Sequence, residues 1–204
     1  EHVRVPLGFA GRAAVTVLGL VAVVWLGQQA ARRGLEHHLL RRSDDPQATR
    51  SEQFDLLRQA HALEPMNPET CFGIGEILRV EAWEQPPGQQ AAAGEAMTWF
   101  ERAWQLNPYD GYAHLRYGMC LDLLGERQRA TTHFLRALEL DPVGAFTLAH
   151  VGWHYCQLED WATARKYLRR SGAMPDVDHT IVNTFLPVVE ERLAEQQRQG
   201  KPKE

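Results

Sequence analysis

Two histidines on one predicted helix are the residues whose spacing best suits metal chemistry. His150 and His154 lie four residues apart, so they share a helix face, and histidines at that spacing can ligate zinc. The intervening Val-Gly-Trp lacks the glutamate of a metalloprotease motif, and no third ligand is evident. We therefore expect ordinary helix-surface histidines here and no metal site.

Other reactive residue types give no sign of catalysis. His37 and His38 are adjacent and would point to different sides of a helix. The cysteines lie among apolar neighbours in predicted helices, so we expect buried free thiols at Cys71, Cys120 and Cys156. The sequence shows no glycine-rich phosphate loop, no nucleophile elbow and no carboxylate pair with a partner base. These observations predict no catalytic residue, no cofactor and no enzyme activity in the chain.

The composition bears on which classes of molecule the chain binds. The apolar fraction of 44% is enough to bury a core, and the net charge of −4 provides no basic surface for nucleic acid. We therefore exclude a nucleic-acid partner and look for surfaces that bind protein or lipid.

A charge-free apolar segment stands near the N-terminus. Residues 13–31 contain 19 positions without an ionised side chain, and a bilayer core needs about 20 helical residues, with about 17 as the lower limit. Arg12 precedes this segment, two arginines follow it at 32–33, and Trp25 suits an interfacial position. We predict a membrane-spanning helix with its flanks at 1–34. The alternatives are a signal-peptide core or a buried helix of a larger membrane protein.

A basic stretch follows the predicted span. Residues 32–50 contain five arginines, and we assign 35–50 to a basic juxtamembrane linker. Such a run could contact membrane lipid at about 1 kcal/mol per charge, or it is the ordinary charged flank of a spanning helix. Because more arginines follow the span than precede it, we expect the domain after it to be cytoplasmic.

Three short strings recur along the rest of the chain: Leu-Glu-Pro at 63–65, Leu-Asn-Pro at 106–108 and Leu-Asp-Pro at 140–142. Each proline is followed ten residues later by a glycine, and then by an alanine with a large apolar residue four positions beyond it. The sets are Gly75, Ala96 and Phe100; Gly118, Ala130 and Phe134; and Gly152, Ala164 and Leu168. The last two glycines are 34 residues apart. The first two are 43 apart, so nine extra residues lie between them, within 83–92.

Each position in these sets has a packing reason. The glycine permits a second helix to cross closely, the alanine is the matching small residue on that helix, and the large residue fills the space beside them. The proline ends the second helix because it lacks an N–H group and disfavours helix in the residue before it. A helix pair leaves an apolar stripe uncovered, and stacking of successive pairs covers it.

This pattern resembles the tetratricopeptide repeat, a helix–turn–helix unit of 34 residues. The resemblance implies a right-handed superhelix, an α-solenoid, closed by a C-terminal capping helix. Together with the predicted N-terminal transmembrane helix, this makes an all-α protein. The repeat domain would occupy 51–178, with a lone helix at 51–63 and units at 68–110 (with the insertion in its turn), 111–144 and 145–178. The capping helix would occupy 179–199, and we expect a disordered tail at 200–204.

The same resemblance implies a concave groove, lined by the first helix of each unit. The positions that match in this sequence are mostly large and apolar: Phe72, Glu76, Arg79, Tyr112, Leu115, Met119, Asp122, Phe146, Trp153 and Gln157. A contiguous apolar patch seldom stays exposed to water. We expect it to be covered either by a separate protein partner, with Tyr112, Phe146 and Trp153 as anchors, or by the chain's own tail helix.

Three strings are also similar to the repeat-containing tails of bacterial O-antigen ligase-like membrane proteins. They are Leu-Glu-Pro-Met-Asn-Pro at 63–68, Gly-Met-Cys-Leu-Asp at 118–122 and His-Val-Gly-Trp-His-Tyr at 150–155. The resemblance implies a bacterial inner-membrane location, with a single pass in this chain. The leading hypothesis is a membrane-anchored scaffold for protein–protein interaction in a cell-envelope complex. The alternative is the C-terminal portion of a glycan-transferring membrane enzyme whose catalytic part lies outside this chain.

Overall fold

The computed structural model describes residues 8–175 and 178–199, and all regular secondary structure in those residues is helical. The predicted all-α solenoid with a long apolar N-terminal helix is confirmed. The chain forms two compact units, with the boundary between Met66 and Asn67. The predicted disordered tail at 200–204 lies outside the described residues.

The first unit is a pair of helices. α1 spans Phe9–Ser43 and α2 spans Arg50–Leu63. Within the described residues, α1 is the one helix that is long and apolar enough to cross a membrane, and its most apolar stretch buries no side chain. The helix continues past the predicted span, so the predicted linker at 35–50 is helical up to Ser43.

α2 folds back along the C-terminal part of α1. The guanidinium of Arg32 on α1 donates a hydrogen bond to the backbone carbonyl of Leu63 at the end of α2, at 2.5 Å. The repeat pattern predicts a lone helix at 51–63 at the start of the repeat domain; in the structure this helix, α2, packs against α1. The small apolar core between the two helices consists of Leu39, Leu40, Leu56, Ala60 and Leu63.

The second unit contains three helical hairpins and a terminal helix. The hairpins pair α3 (Pro68–Glu84) with α4 (Gln89–Leu106), α5 (Gly111–Leu123) with α6 (Arg127–Leu140), and α7 (Ala145–Gln157) with α8 (Trp161–Gly172). Side-chain caps begin three of these helices: Asn67 accepts from the backbone N–H of Glu69, Asp110 from that of Tyr112, and Asp160 from that of Thr163.

Close crossings within the hairpins follow the repeated glycines. A Cβ placed on Gly75 would stand 2.8 Å from the Phe100 ring, and one on Gly152 would stand 2.7 Å from Leu168. Neither position has room for a side chain, so only glycine permits these crossings. A Cβ on Gly118 would stand 3.1 Å from the Phe134 ring, a tighter approach than most side-chain contacts, and the alanines of the three sets, Ala96, Ala130 and Ala164, have no exposed surface.

The insertion in the first hairpin lengthens its helices more than its turn. α3 and α4 have 17 and 18 residues, whereas their counterparts α5 and α6 have 13 and 14. A short 3-10 turn at Pro86–Gly88 joins the two longer helices. The extra residues therefore add about one helical turn to each helix.

The terminal helix α9 spans Thr180–Gln199 and packs against α8 and α7. Val182 and Val189 are buried against this last hairpin, and the guanidinium of Arg169 donates to the Glu190 carboxylate at 2.6 Å. We expected a kink or restart at Pro187; the helix runs through Pro187 without interruption. α9 thus occupies the position predicted for a capping helix.

Candidate functional site

An open cavity of about 440 Å³ lies between the first helices of the three hairpins and α9. Most of its lining is apolar, and Arg79 and His150 are the only residues in the lining that can carry a charge. Three residues predicted to line the groove, Arg79, Met119 and Trp153, form part of its wall. The full lining is Arg79, Val80, Trp83, Met119, His150, Trp153, Ile181 and Phe185.

Trp83 is a cavity residue that the sequence analysis did not assign. It lies eight residues after Gly75, and the equivalent position in the second hairpin is Glu126, which lies beyond the end of α5. Trp83 therefore belongs to the extra turn that the insertion adds to α3. Its side chain is 59% exposed, so a large aromatic surface at the cavity is available for contact.

α9 supplies one wall of the cavity. Ile181 and Phe185 reach it from the first turns of α9, and the Phe185 ring meets Trp153 edge to face at 6.5 Å. The chain's own tail helix therefore covers part of the predicted groove and leaves the remaining volume open.

An ion cluster of three side chains lies beside the cavity. The Glu76 carboxylate accepts hydrogen bonds from Nε and Nη2 of Arg79 at 2.9 and 2.7 Å. Nε of Arg116 is 3.1 Å from the same carboxylate but makes no hydrogen bond. The Arg116 guanidinium also stands 4.7 Å from the centre of the Phe146 ring. Two guanidinium groups and one carboxylate leave one positive charge in this cluster.

The surroundings shift the pKa values of this cluster. Burial raises the pKa of Glu76, but the hydrogen bonds from Arg79 and the charge of Arg116 outweigh burial and hold the pKa below its ordinary value. His150 donates from Nδ1 to the backbone carbonyl of Phe146 at 2.9 Å. Burial, together with the charges of Arg116 and Arg79, nevertheless lowers the pKa of His150 to about 4. The cavity therefore presents a neutral imidazole at neutral pH.

Other predicted groove residues lie outside the cavity. Tyr112 and Phe146 are partly exposed and face each other with ring centres 6.0 Å apart. Phe72 is half-buried and packs on Phe100. The assignment of Leu115 to the groove was wrong, because Leu115 has no exposed surface and packs within the core.

Asp122 and Gln157, also predicted for the groove, form a buried hydrogen-bonded set with His154. The two carboxylate oxygens of Asp122 are 2.9 and 2.8 Å from Nδ1 of His154, and the Gln157 amide donates to Asp122 at 3.1 Å. Nε2 of His154 is 2.8 Å from the hydroxyl of Thr131. The prediction of surface histidines was wrong, since His154 has no exposed surface and His150 is 6% exposed.

The Asp–His–Thr connectivity of this set is that of an acid–base relay, but the set is closed to solvent. The side chains of Asp122 and His154 have no exposed surface, and neither residue lines the cavity. A substrate cannot reach the imidazole in this structure. The set therefore links helices α5, α6 and α7 and offers no catalytic group to solvent.

A second histidine pair joins the two helices of the second hairpin. His114 and His133 approach each other with Nδ1 atoms 3.4 Å apart, with Trp104 stacked on His114 and Tyr117 on His133. Burial lowers the pKa of both histidines, that of His133 to about 4. The described residues contain no group of three or more His, Cys, Asp or Glu that could hold a metal ion.

The three cysteines are free thiols, as expected; Cys71 and Cys120 are buried and Cys156 is half-buried. Burial raises the pKa of Cys120 to about 12 and that of Cys156 to about 11. Both thiols are therefore protonated at neutral pH and are poor nucleophiles.

Comparison with known proteins identifies the fold. No family model and no curated protein sequence matches the chain. Among solved structures, the thermophilic TPR protein TTC0263 of Thermus thermophilus matches with a TM-score of 0.62 and 16% identity, over 85% of this chain and 95% of its own. MamA matches with a TM-score of 0.55 and 14% identity, over 84% of this chain and 85% of its own. YrrB, a TPR protein with an unusual peptide-binding site, matches with a TM-score of 0.50 and 24% identity, over 66% of this chain and 64% of its own.

Proposed function

We propose that this chain is a membrane-anchored tetratricopeptide-repeat scaffold, without enzyme activity, whose cavity binds an apolar segment of a protein partner. The observation that carries the proposal is the open apolar cavity between α3, α5, α7 and α9. In this proposal α1 anchors the chain, and the repeat domain presents the cavity to the partner.

The size and lining of the cavity suit an apolar anchor. A volume of about 440 Å³ lies within the range of about 300–1,000 Å³ common for binding sites. Burial of apolar surface there would contribute about 25 cal/mol per Å². Trp83 and Trp153 would supply most of the contact, since large aromatic residues in such pockets carry much of the binding free energy.

The adjacent ion cluster suggests a second property of the partner. One carboxylate, that of Glu76, balances two guanidinium groups, those of Arg79 and Arg116, so the cluster beside the cavity keeps one positive charge. We therefore propose that the bound segment carries an acidic group near its apolar anchor. Raising the salt concentration should weaken binding through this contact.

Membrane anchoring is supported by the surface of α1. Its apolar stretch has no buried side chain within the chain, and a surface of that length and composition is stable in a bilayer. In this proposal the chain lies in a bacterial inner membrane with the repeats in the cytoplasm, which is supported by the arginine distribution and by the resemblance of the three strings. A contact of the arginines at 41–42 with anionic lipid would add to the anchoring.

Site-specific photocrosslinking tests the partner proposal. A photoreactive amino acid replaces Trp83 in the full chain, and a matched variant carries it at Tyr109, which is 86% exposed and outside the cavity. Mass spectrometry of the crosslinks then identifies the partner segment. We expect a crosslink from position 83 that is absent from position 109.

A peptide with the crosslinked sequence provides the quantitative check. We expect Trp83→Ala to weaken its affinity for the full chain about tenfold or more, because truncation of an aromatic anchor costs about 1–2 kcal/mol or more. Tyr109→Ala should leave the affinity unchanged. The proposal is wrong if positions 83 and 109 give the same crosslinks, or if the peptide binds both variants equally.

The alternative function, the C-terminal portion of a glycan-transferring membrane enzyme, rests on the three strings at 63–68, 118–122 and 150–155. The apolar surface of α1 is exposed on all sides, which is expected both of a single anchor in lipid and of a helix that packs against further spans. Sequencing the gene upstream of Glu1 decides between the two, since about ten further apolar spans would establish the enzyme.

A further inference from the structure

We infer that the open end of the α1–α2 hairpin is a membrane-contact surface, which rests on the lipid headgroups of the bilayer that α1 crosses. The open end consists of Leu35 on α1 and residues 63–66 at the end of α2. This inference rests on the proposed membrane anchoring and adds the orientation of the first unit to it.

The direction of α2 follows from its contacts with α1. Leu39 of α1 packs against Leu56 and Ala60 of α2, and the chain turns between Ser43 and Arg50. α2 therefore runs antiparallel to α1, from the turn back toward the N-terminal part of α1. The turn is the end of the hairpin that lies farthest from the predicted span.

α2 ends beside the position on α1 where the apolar span ends. The Arg32 guanidinium donates to the carbonyl of Leu63 at 2.5 Å, and Arg32 is the first charged residue after the apolar span. The end of α2 therefore lies at the level where the charge-free stretch of α1 stops. Helix lengths are similar, since α2 rises about 20 Å from Arg50 to Leu63 and α1 rises about 16 Å from Arg32 to Ser43.

The open end of the hairpin carries exposed apolar side chains. Met66 is 68% exposed and Leu35 is 50% exposed, so the open end presents two large apolar side chains to its surroundings. Leu35 lies three residues after Arg32, beyond the apolar stretch of α1. Because side chains of this kind are stable at the headgroup–acyl boundary, the occupant that fits this surface is the bilayer itself.

Depth measurement by fluorescence tests the inference. The full chain is placed in phospholipid nanodiscs with an environment-sensitive fluorophore at a new cysteine, on a background in which the half-buried Cys156 is replaced by serine. Met66→Cys reports the open end, and Gln47→Cys, exposed in the turn, is the matched control. Lipids with quenchers at different depths give the distance of each label from the bilayer centre.

We expect the label at position 66 to be quenched by headgroup-level quenchers and to emit at shorter wavelength than the label at 47. The label at 47 should lie about 16 Å farther from the bilayer centre, the length of α1 between Arg32 and Ser43. Equal depths, or a label at 66 that no lipid quencher reaches, would overturn the inference.

A third label separates this inference from membrane anchoring. Leu20→Cys lies within the apolar stretch of α1 and should be quenched by quenchers deep in the acyl chains. Deep quenching at 20 without quenching at 66 rejects the membrane-contact surface and leaves the anchoring proposal intact. Absence of quenching at 20 rejects both.

Discussion

Nδ1 of His154 donates a hydrogen bond to the Asp122 carboxylate at 2.8 Å, between side chains that have no exposed surface. Asp122 lies on α5 and His154 on α7, so this bond joins the first helices of two successive repeats. Desolvation of both groups costs free energy, and the bond offsets that cost only while both partners are present.

Single substitutions of this pair should therefore be more harmful than the double substitution. We expect Asp122→Leu or His154→Phe alone to lower the free energy of unfolding by about 3–5 kcal/mol, because each leaves a buried polar group unpaired. The double variant should lose much less than the sum, since it removes both polar groups and a phenyl ring can keep the stacking of position 154 on Phe134. Urea unfolding of the full chain in mild detergent, followed by circular dichroism, measures this. Additive losses would show that the two side chains are not coupled.

The packing within hairpins was predictable because each contact joins residues at fixed spacing in one short segment. Gly152 and Leu168 are 16 residues apart in sequence and meet where two helices of one hairpin cross. Glycine, alanine and a large apolar residue recur at these positions in three hairpins. Their spacing therefore indicates which residues of the two helices face each other. A glycine weakens a helix. Glycines that recur inside helices at a fixed spacing therefore indicate close helix packing specifically.

The site was less predictable because its residues depend on contacts between hairpins. The repeat spacing assigns Asp122 and Gln157 to groove positions. In the structure, however, His154, 32 residues after Asp122, bonds the Asp122 carboxylate and turns it inward. Nothing in the residues around Asp122 indicates that partner. The groove prediction omitted Trp83 for a different reason. Trp83 lies in a helical turn that has no counterpart in a 34-residue unit, so no groove position of the repeat corresponds to it.

The turns of the second and third hairpins provide a matched pair for backbone strain. Gly125 and Glu159 are 34 residues apart and both adopt left-handed backbone, with φ of 78° and 59°. This conformation costs an L-residue with a side chain roughly 1 kcal/mol. We expect Glu159→Gly to raise the free energy of unfolding by about 0.5–1 kcal/mol and Gly125→Ala to lower it by about 1 kcal/mol. Thermal or urea unfolding of the full chain would show both effects, and a destabilised Glu159→Gly would contradict the account.

The depressed pKa of His150 makes stability depend on pH. The pKa is about 4 in the folded chain and about 6.5 in the unfolded chain, so the unfolded state binds a proton first as the pH falls. The stability contribution is fully present above pH 6.5 and is lost between about pH 6.5 and pH 4, with a limiting slope of about 1.4 kcal/mol per pH unit.

Replacement of His150 by leucine should remove that part of the pH dependence. His114 and His133 also have lowered pKa values and contribute to the pH dependence, so wild type and His150→Leu must be compared at each pH. We expect the wild type to lose more stability than the variant between pH 6.5 and pH 4, measured by urea unfolding. Parallel pH curves for the two proteins would mean that His150 remains accessible to protons in the folded state.

Addition of one methyl group at a close crossing should be costly, whereas the same addition elsewhere should help. A Cβ at position 152 would stand 2.7 Å from Leu168, while a Cβ at Gly94 on α4 would meet nothing within 4 Å. We expect Gly152→Ala to lower the free energy of unfolding by about 1–3 kcal/mol through overpacking. Gly94→Ala should raise it by about 0.5–1 kcal/mol through reduced entropy of the unfolded chain.

A second substitution at the same crossing identifies the cause. Leu168→Ala alone should cost about 2–5 kcal/mol because it leaves a cavity beside Gly152. In the double variant the new methyl group occupies part of that cavity and no longer meets Leu168, so the combined loss should be smaller than the sum of the single losses. If the two losses add, the cost of Gly152→Ala does not arise from contact with Leu168, and the close crossing of α7 and α8 is not what requires glycine there.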